Sequence, residues 1–184
     1  MILGHLPAGY LWTRRLEGWA GARGWLAIGM LASVAPDFDL LYYVTLDHRR
    51  HHHHEYWSHT PFWWLVLGAA ALLLLRLAVP RRKRALWFLG VLVVVSNALL
   101  HLALDSIADS IRWLYPVSTR ALSLVGAPRE HELWVWNFVC HWTFAFEVLV
   151  VAWAIAEWLR ARRRGERESL RQAPRLVSTK PARP

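Results

Sequence analysis

Histidine and aspartate are the residues in this sequence whose types and spacing could do chemistry. Four consecutive histidines occupy positions 51–54, and His59 follows just before a strongly apolar segment. His101 and Asp105 have the i, i+4 spacing that places two side chains on one face of a helix, where both could bind one ion or neighbouring ions. Imidazole nitrogens combined with carboxylate oxygens suit zinc, manganese or iron better than calcium.

Two further carboxylates, Asp37 and Asp39, follow Pro36 in the stretch "PDFD". Unpaired near hydrocarbon, they would repel each other and be costly to remove from water, and a divalent cation relieves both problems. Such an ion lowers the pKa of a bound water and polarises a phosphoryl or carbonyl oxygen, which favours hydrolysis at neutral pH. We therefore predict a site for a divalent metal. Zinc is the preferred ion, and the number of ions, one or more, is left open.

The elements that must position these residues are predicted to be membrane helices. Hydrophobic residues make up 55% of the 184 residues, and the apolar stretches 61–80, 85–104 and 133–160 each have about 20 residues or more. Twenty helical residues cover the roughly 30 Å hydrocarbon core of a bilayer. The sequence thus predicts an all-α, polytopic membrane bundle with three full transmembrane helices.

A short helical hairpin is predicted before these spans, formed by residues 2–16 and 24–35. Glycines at 18, 21 and 24 favour a turn between the two helices, and Pro36 disfavours helix at the residue before it. An antiparallel hairpin brings the start of its first helix beside the end of its second. We therefore expect His5 to approach Asp37 and Asp39.

Basic residues predict the orientation in the membrane. The runs 81–84 and 160–164 are rich in arginine and flank predicted spans, so both should be cytoplasmic. The loops 37–60 and 105–132 then lie on the extracytoplasmic side with the metal site. We divide the chain into a membrane-embedded hydrolase-like domain, 1–160, and a basic, disordered cytoplasmic tail, 161–184. We interpret the tail as a topology marker and expect no nucleic-acid partner.

The candidate ligands converge on the predicted outer face from separate parts of the chain. They are His5, Asp37, Asp39, His54, His59, His101 and Asp105. Glu55 is the candidate proton shuttle, and which of the histidines at 51–54 bind is left open. Each motif taken alone has an ordinary explanation, such as a helix stop or a hydrogen-bonded pair. Only the joint pattern favours a metal site.

Two functions of other classes stay open. A metal transporter or metal sensor would use the same residue types, but its polar groups should continue across the membrane as a path. A structural membrane protein could carry histidines that bind metal only adventitiously.

The order of the motifs resembles a known family. "GH" at His5 is followed by "PDFD", "HEYWSHT", "HLALD" and "WLYP" within residues 1–120, and this order is similar to the LexA-regulated, inner-membrane, metal-dependent hydrolases of the YdjM type. The resemblance implies an inner-membrane location and metal ligands at the candidate positions. Leu40 departs from the family pattern, which has histidine there, and Glu55 and Tyr56 stand where the family has Arg-Gly.

The arrangement of His and Asp ligands, the HxxxD pair among them, also has a more distant similarity to the zinc-dependent phospholipase C superfamily, whose helical proteins bind several zinc ions. This similarity implies a phosphoester substrate in a lipid or lipid-linked molecule, with the lipid bilayer as partner.

Overall fold

The computed structural model describes residues 3–21, 23–125 and 134–172. Within these ranges the chain is helical apart from loops and one isolated antiparallel bridge, in agreement with the predicted all-α class. Three short 3-10 helices cover Pro36–Phe38, His53–Glu55 and Trp57–His59. The α-helices in chain order are α1 (His5–Ala20), α2 (Leu26–Ala32), α3 (Asp39–Thr45), α4 (Pro61–Ala78), α5 (Arg81–Asp105), α6 (Trp134–Val139) and α7 (Thr143–Gln172).

Helices α4 and α5 are long and apolar enough to cross a membrane. They have 18 and 25 residues, and a two-residue turn at Val79 and Pro80 joins them. Most of α4 is exposed and apolar, as expected for a helix that faces lipid. Two of the three predicted spans are therefore present as continuous helices.

The third predicted span, 133–160, is divided in the structure. Helix α6 ends at Val139 and α7 begins at Thr143, where the hydroxyl lies 2.9 Å from Nδ1 of His141. The apolar part of α7 also carries Glu147 and Glu157. Three full transmembrane helices are thus not confirmed. Beyond Arg160, α7 continues to Gln172 into the predicted tail, and residues 173–184 lie outside the described part of the chain.

Nearer the N-terminus, a bent pair of helices is a further candidate for a membrane crossing. Helix α2 and the segment Pro36–Thr45 are together apolar enough to span, but they are bent by 55° relative to each other. Pro36 lies at the bend and begins a 3-10 helix, while Ala35 before it keeps helical dihedrals. Helix α2 ends at Ala32, three residues before the predicted end at 35. The bend turns Asp37 and Asp39 out of the line of α2.

The N-terminal hairpin forms as α1 and α2, which pack against each other. Gly21 caps α1 with φ of 62°, and Gly24 has φ of 103° in the turn. Both values lie in the left-handed region that favours glycine. The predicted glycine turn is confirmed at these two positions, whereas Gly18 lies inside α1, which extends beyond the predicted 2–16.

Helix α5 is at the centre of the packing and contacts α1, α2 and α4. Four of its residues at i+4 spacing are buried and form one row along the helix: Val93, Asn97, His101 and Asp105. Asn97 Nδ2 donates a hydrogen bond to Thr13 Oγ1 of α1 at 3.0 Å. The row runs from the middle of a membrane-spanning helix to its end, where the chemistry-bearing residues collect.

Candidate metal centre

Four side chains form a cluster, Asp37, His59, His101 and Asp105. The last turn of α5 provides two of them. His101 Nε2 lies 3.0 Å from Asp105 Oδ2, as their i, i+4 spacing on the helix predicts. His101 is completely buried and the Asp105 side chain is 2% exposed. A carboxylate and an imidazole are thus held together away from water at the end of a membrane-spanning helix.

Two short 3-10 helices supply the other two residues. Asp37 follows α2, and its Oδ1 lies 3.5 Å from His101 Nε2 and 3.6 Å from His59 Nε2. His59 ends the 3-10 helix that leads into α4, and its Nε2 lies 3.8 Å from Asp105 Oδ2. Parts of the chain far apart in sequence therefore meet over the end of α5.

These four side chains have the geometry of a metal site. One ligand atom from each of Asp37, His59, His101 and Asp105 lies within 4.8 Å of the others. Atoms about 2.1 Å from one tetrahedral ion lie about 3.4 Å from each other. The contacts of 3.0–3.8 Å match that spacing, while most of them are too long for hydrogen bonds.

Two buried nitrogens support the same interpretation. Nε2 of His59 and Nε2 of His101 have no hydrogen-bond partner of suitable geometry. A buried polar atom without a partner costs roughly 1–3 kcal/mol, and such atoms are uncommon in proteins. A cation at their common centre would satisfy both nitrogens and balance the two carboxylates, so the residues fit a divalent metal.

The opposite nitrogen of each histidine is held by a second group. His59 Nδ1 lies 2.8 Å from Asp39 Oδ2, which also accepts a hydrogen bond from Ser58 Oγ. His101 Nδ1 lies 2.9 Å from the Ser33 carbonyl oxygen, to which it donates. Such hydrogen bonds place the proton on Nδ1 and leave the Nε2 lone pair for a metal.

The remaining predicted ligands lie around this group of four. Asp39 orients His59 from outside the group. His5 stacks on His101 with 3.7 Å between ring centroids, and its Nε2 lies 3.0 Å from Asp105 Oδ1. The hairpin therefore brings His5 to the site as predicted, but its partner is Asp105 and not the carboxylates of "PDFD".

His54 also borders the group of four. Its Nε2 lies 3.6 Å from Asp105 Oδ2. Glu55, the candidate proton shuttle, is half exposed and its Oε1 accepts a hydrogen bond from Arg112 at 3.0 Å. Glu55 belongs to none of the possible metal-binding groups found among the described residues.

The histidine run divides among several partners. His51 Nδ1 pairs with Asp47 at 2.8 Å, whereas His53 and His54 form a group with His59. Burial, together with repulsion from His54 and His59, lowers the pKa of His53 to about 4. His53 is therefore neutral at pH 7.

Three residues near the site were not among the predicted ligands. Ser33 acts through its backbone carbonyl, which no side-chain pattern reveals, and Ser58 acts as a hydrogen-bond donor to a carboxylate. Asp109 lies four residues after Asp105, and this spacing is the signal that could have identified it. Its Oδ2 lies 2.9 Å from His54 Nδ1.

We predict that Asp39→Asn lowers zinc affinity about 10- to 100-fold without removing the site. Asp39 holds the ligand His59 through its Nδ1, and loss of a group that hydrogen-bonds to a metal ligand typically has an effect of that size. Competition with a chelator on detergent-purified protein would measure the change. Asp47→Asn is the matched control, since Asp47 pairs with His51 outside the group of four. Equal zinc affinities for Asp39→Asn and the control would contradict the orienting role.

An open groove of about 990 Å³ adjoins the centre. Asp39 and Ser58, the partners of His59, line one part of it, and Glu55 and Arg112 line another. Its remaining walls are mainly aromatic or apolar, with Phe38, Tyr42, Trp57 and Trp64 among them. The charged residues of the lining are three carboxylates, Asp39, Asp47 and Glu55, and one guanidinium, Arg112, which is paired with Glu55.

Comparison with known proteins agrees with the motif order. The family model described as YdjM inner membrane protein matches residues 1–164. No curated protein and no solved structure matches the chain.

Proposed function

The chain belongs to the YdjM inner membrane protein family, and on that premise we propose that it is a membrane-bound, metal-dependent hydrolase. The proposed substrate is a phosphoester in a lipid or lipid-linked molecule. The observation that carries the proposal is the convergence of Asp37, His59, His101 and Asp105 on one point. A divalent ion bound there, for which zinc is the first choice, would activate a water and polarise a phosphoryl oxygen.

The four-residue cluster is most exposed on the side of Asp37. Its side chain is 28% exposed, whereas those of His59, His101 and Asp105 are almost completely buried. Asp37 belongs to the same 3-10 helix as Phe38, which lines the adjoining groove. None of the four residues lines the groove itself, so the proposal requires a substrate to extend from the groove past Phe38 to the exposed side of Asp37.

In this proposal the groove would bind the lipid phosphoester. Aromatic walls would hold acyl or prenyl chains, and the Arg112 guanidinium would bind the anionic group. Arg112 Nη2 lies 3.0 Å from Glu55 Oε1. A phosphate that replaced Glu55 at Arg112 would release the carboxylate at the edge of the groove, where we propose that it carries a proton.

The metal centre is proposed to face the extracytoplasmic side. The basic residues Arg81 to Arg84 begin α5, and His101 and Asp105 end it. Twenty-five helical residues separate the two ends by roughly 37 Å, which is enough to place them on opposite sides of a bilayer. Basic residues favour the cytoplasmic side, so the C-terminal basic segment would be cytoplasmic as well.

Phosphoester cleavage can be tested with protein reconstituted in vesicles of phosphatidylglycerol and phosphatidylethanolamine. We expect release of phosphorylated headgroup after loading with Zn²⁺, and little release after chelation. Arg112→Gln should raise KM more than it lowers kcat, since Arg112 is proposed to bind the substrate anion.

Two outcomes would contradict the hydrolase. One is a protein that binds zinc stoichiometrically yet releases no headgroup from either lipid. The other is zinc transport into sealed vesicles without hydrolysis, which would favour the transporter.

A further inference from the structure

A second set of ligands lies beside the group of four. His52 and His54 come from the segment around the 3-10 helix His53–Glu55, and Asp109 comes from the turn that follows α5. We propose that these three side chains form a second site for a divalent cation. This inference does not depend on hydrolysis at the first centre.

The distances within this set suit a shared ion. Asp109 Oδ2 lies 2.9 Å from His54 Nδ1 and 3.7 Å from His52 Nε2. One ligand atom from each of the three residues lies within 4.8 Å of the others. These separations lie on either side of the roughly 3.4 Å between ligands of a tetrahedral ion.

His54 supplies an independent indication of a cation. His54 is only 6% exposed. Its Nδ1 makes no hydrogen bond of suitable geometry, although Asp109 Oδ2 lies 2.9 Å away. Its other nitrogen lies 3.6 Å from Asp105 Oδ2. A neutral imidazole carries one N–H, so in that form one of its two nitrogens faces a carboxylate with lone pair against lone pair, and a cation between them would relieve that contact.

The second site differs from the first in its exposure. The side chains of His52 and Asp109 are 52% and 39% exposed, whereas the first centre is mostly buried. Three protein ligands leave at least one position open to water or to a ligand atom of a substrate. We therefore expect the second ion to bind more weakly and to exchange faster. Two nitrogens and one oxygen suit zinc, cobalt or manganese rather than magnesium or calcium.

A simpler role for Asp109 makes a different prediction. Asp109 could hold the His54 ring so that Nε2 points at the first centre, with no ion of its own. His52 would then have no function in metal binding. Replacing His52 therefore separates the two roles, because only the second-site proposal gives His52 a ligand atom.

The test is a zinc count on full-length, detergent-purified protein equilibrated at increasing concentrations of free Zn²⁺. We expect two ions per chain for the wild type at saturation, and one for both His52→Ala and Asp109→Asn. His51→Ala is the matched control and should retain two, because His51 belongs to the same run but pairs with Asp47. Retention of the first ion by the variants shows that they are folded.

Several results would overturn the second site. A wild-type protein that saturates at one ion would remove it and leave the first centre intact. Two ions in His52→Ala would reduce Asp109 to an orienting residue. A wild-type protein that binds no zinc would overturn both sites, and with them the proposed function. A count of one ion, by contrast, would overturn this inference alone.

Discussion

Replacing Asp105 with asparagine is expected to remove the tightly bound metal ion. Asp105 lies within 3.0–3.8 Å of four imidazoles, those of His5, His54, His59 and His101. Asparagine keeps the shape of the side chain but removes the charge that balances a cation in a buried site. Because loss of an orienting partner alone costs 10- to 100-fold in affinity, loss of this ligand should cost at least about 100-fold.

Zinc analysis of the purified variant would measure this effect. We expect the variant to retain less than about a tenth of the wild-type amount of zinc, under conditions where Asp39→Asn retains a larger share. Ser106→Ala is the matched control at the adjacent position, since its hydroxyl donates to the Leu102 carbonyl and accepts from Trp113. Wild-type zinc content in Asp105→Asn would refute the proposed centre.

Replacing Gly9 with alanine is expected to destabilise the fold and the metal centre together. A Cβ at Gly9 would lie 2.5 Å from Ser33 Cβ and 2.2 Å from Ser33 Oγ, and both distances are shorter than non-bonded contacts of a Cβ atom in proteins. Relief requires α1 to move away from the end of α2, because Ser33 Cβ is attached directly to the backbone. Overpacking of this kind typically costs about 1–3 kcal/mol.

The metal centre should respond to the same substitution through Ser33. The Ser33 carbonyl accepts the hydrogen bond from His101 Nδ1, so displacement of this segment would turn the His101 ring. We expect Gly9→Ala to lower the unfolding temperature in detergent by about 2–10 °C and to weaken zinc binding as well.

Gly18→Ala provides a control in the same helix. A Cβ at Gly18 meets no atom within 4 Å, so alanine should stabilise α1 by about 0.5–1 kcal/mol through its higher helix propensity. Thermal unfolding of both variants would compare identical substitutions that differ only in their surroundings. A Gly9→Ala protein as stable as Gly18→Ala would contradict the close packing of α1 on Ser33.

Local rules predicted much of this protein. Helix periodicity alone placed His101 and Asp105 on one face, because residues four apart on a helix are neighbours wherever the helix lies. The apolar stretches at 61–80 and 85–104 predicted α4 and α5, because a bilayer requires about 20 apolar residues for each crossing. The motif order predicted the family, which the family model confirms.

Polar groups inside the third apolar stretch show where hydropathy is insufficient. The stretch 133–160 is apolar on average, but the chain is interrupted between Val139 and Thr143. A side-chain contact between His141 and Thr143 occurs at the interruption. The average hydropathy of a stretch therefore does not predict where a helix within it starts or ends.

Reading the amino-acid sequence was sufficient to predict a helical inner-membrane protein with histidines and aspartates near the ends of its apolar segments. The folded structure was needed to assign a position in the site to each of them. It placed Asp37 in the group of four and Asp39 behind His59, although both belong to the same four-residue motif. The physical reason is that ligand geometry depends on angstrom-scale distances across loops, and the path of a loop follows from the packing of the whole chain.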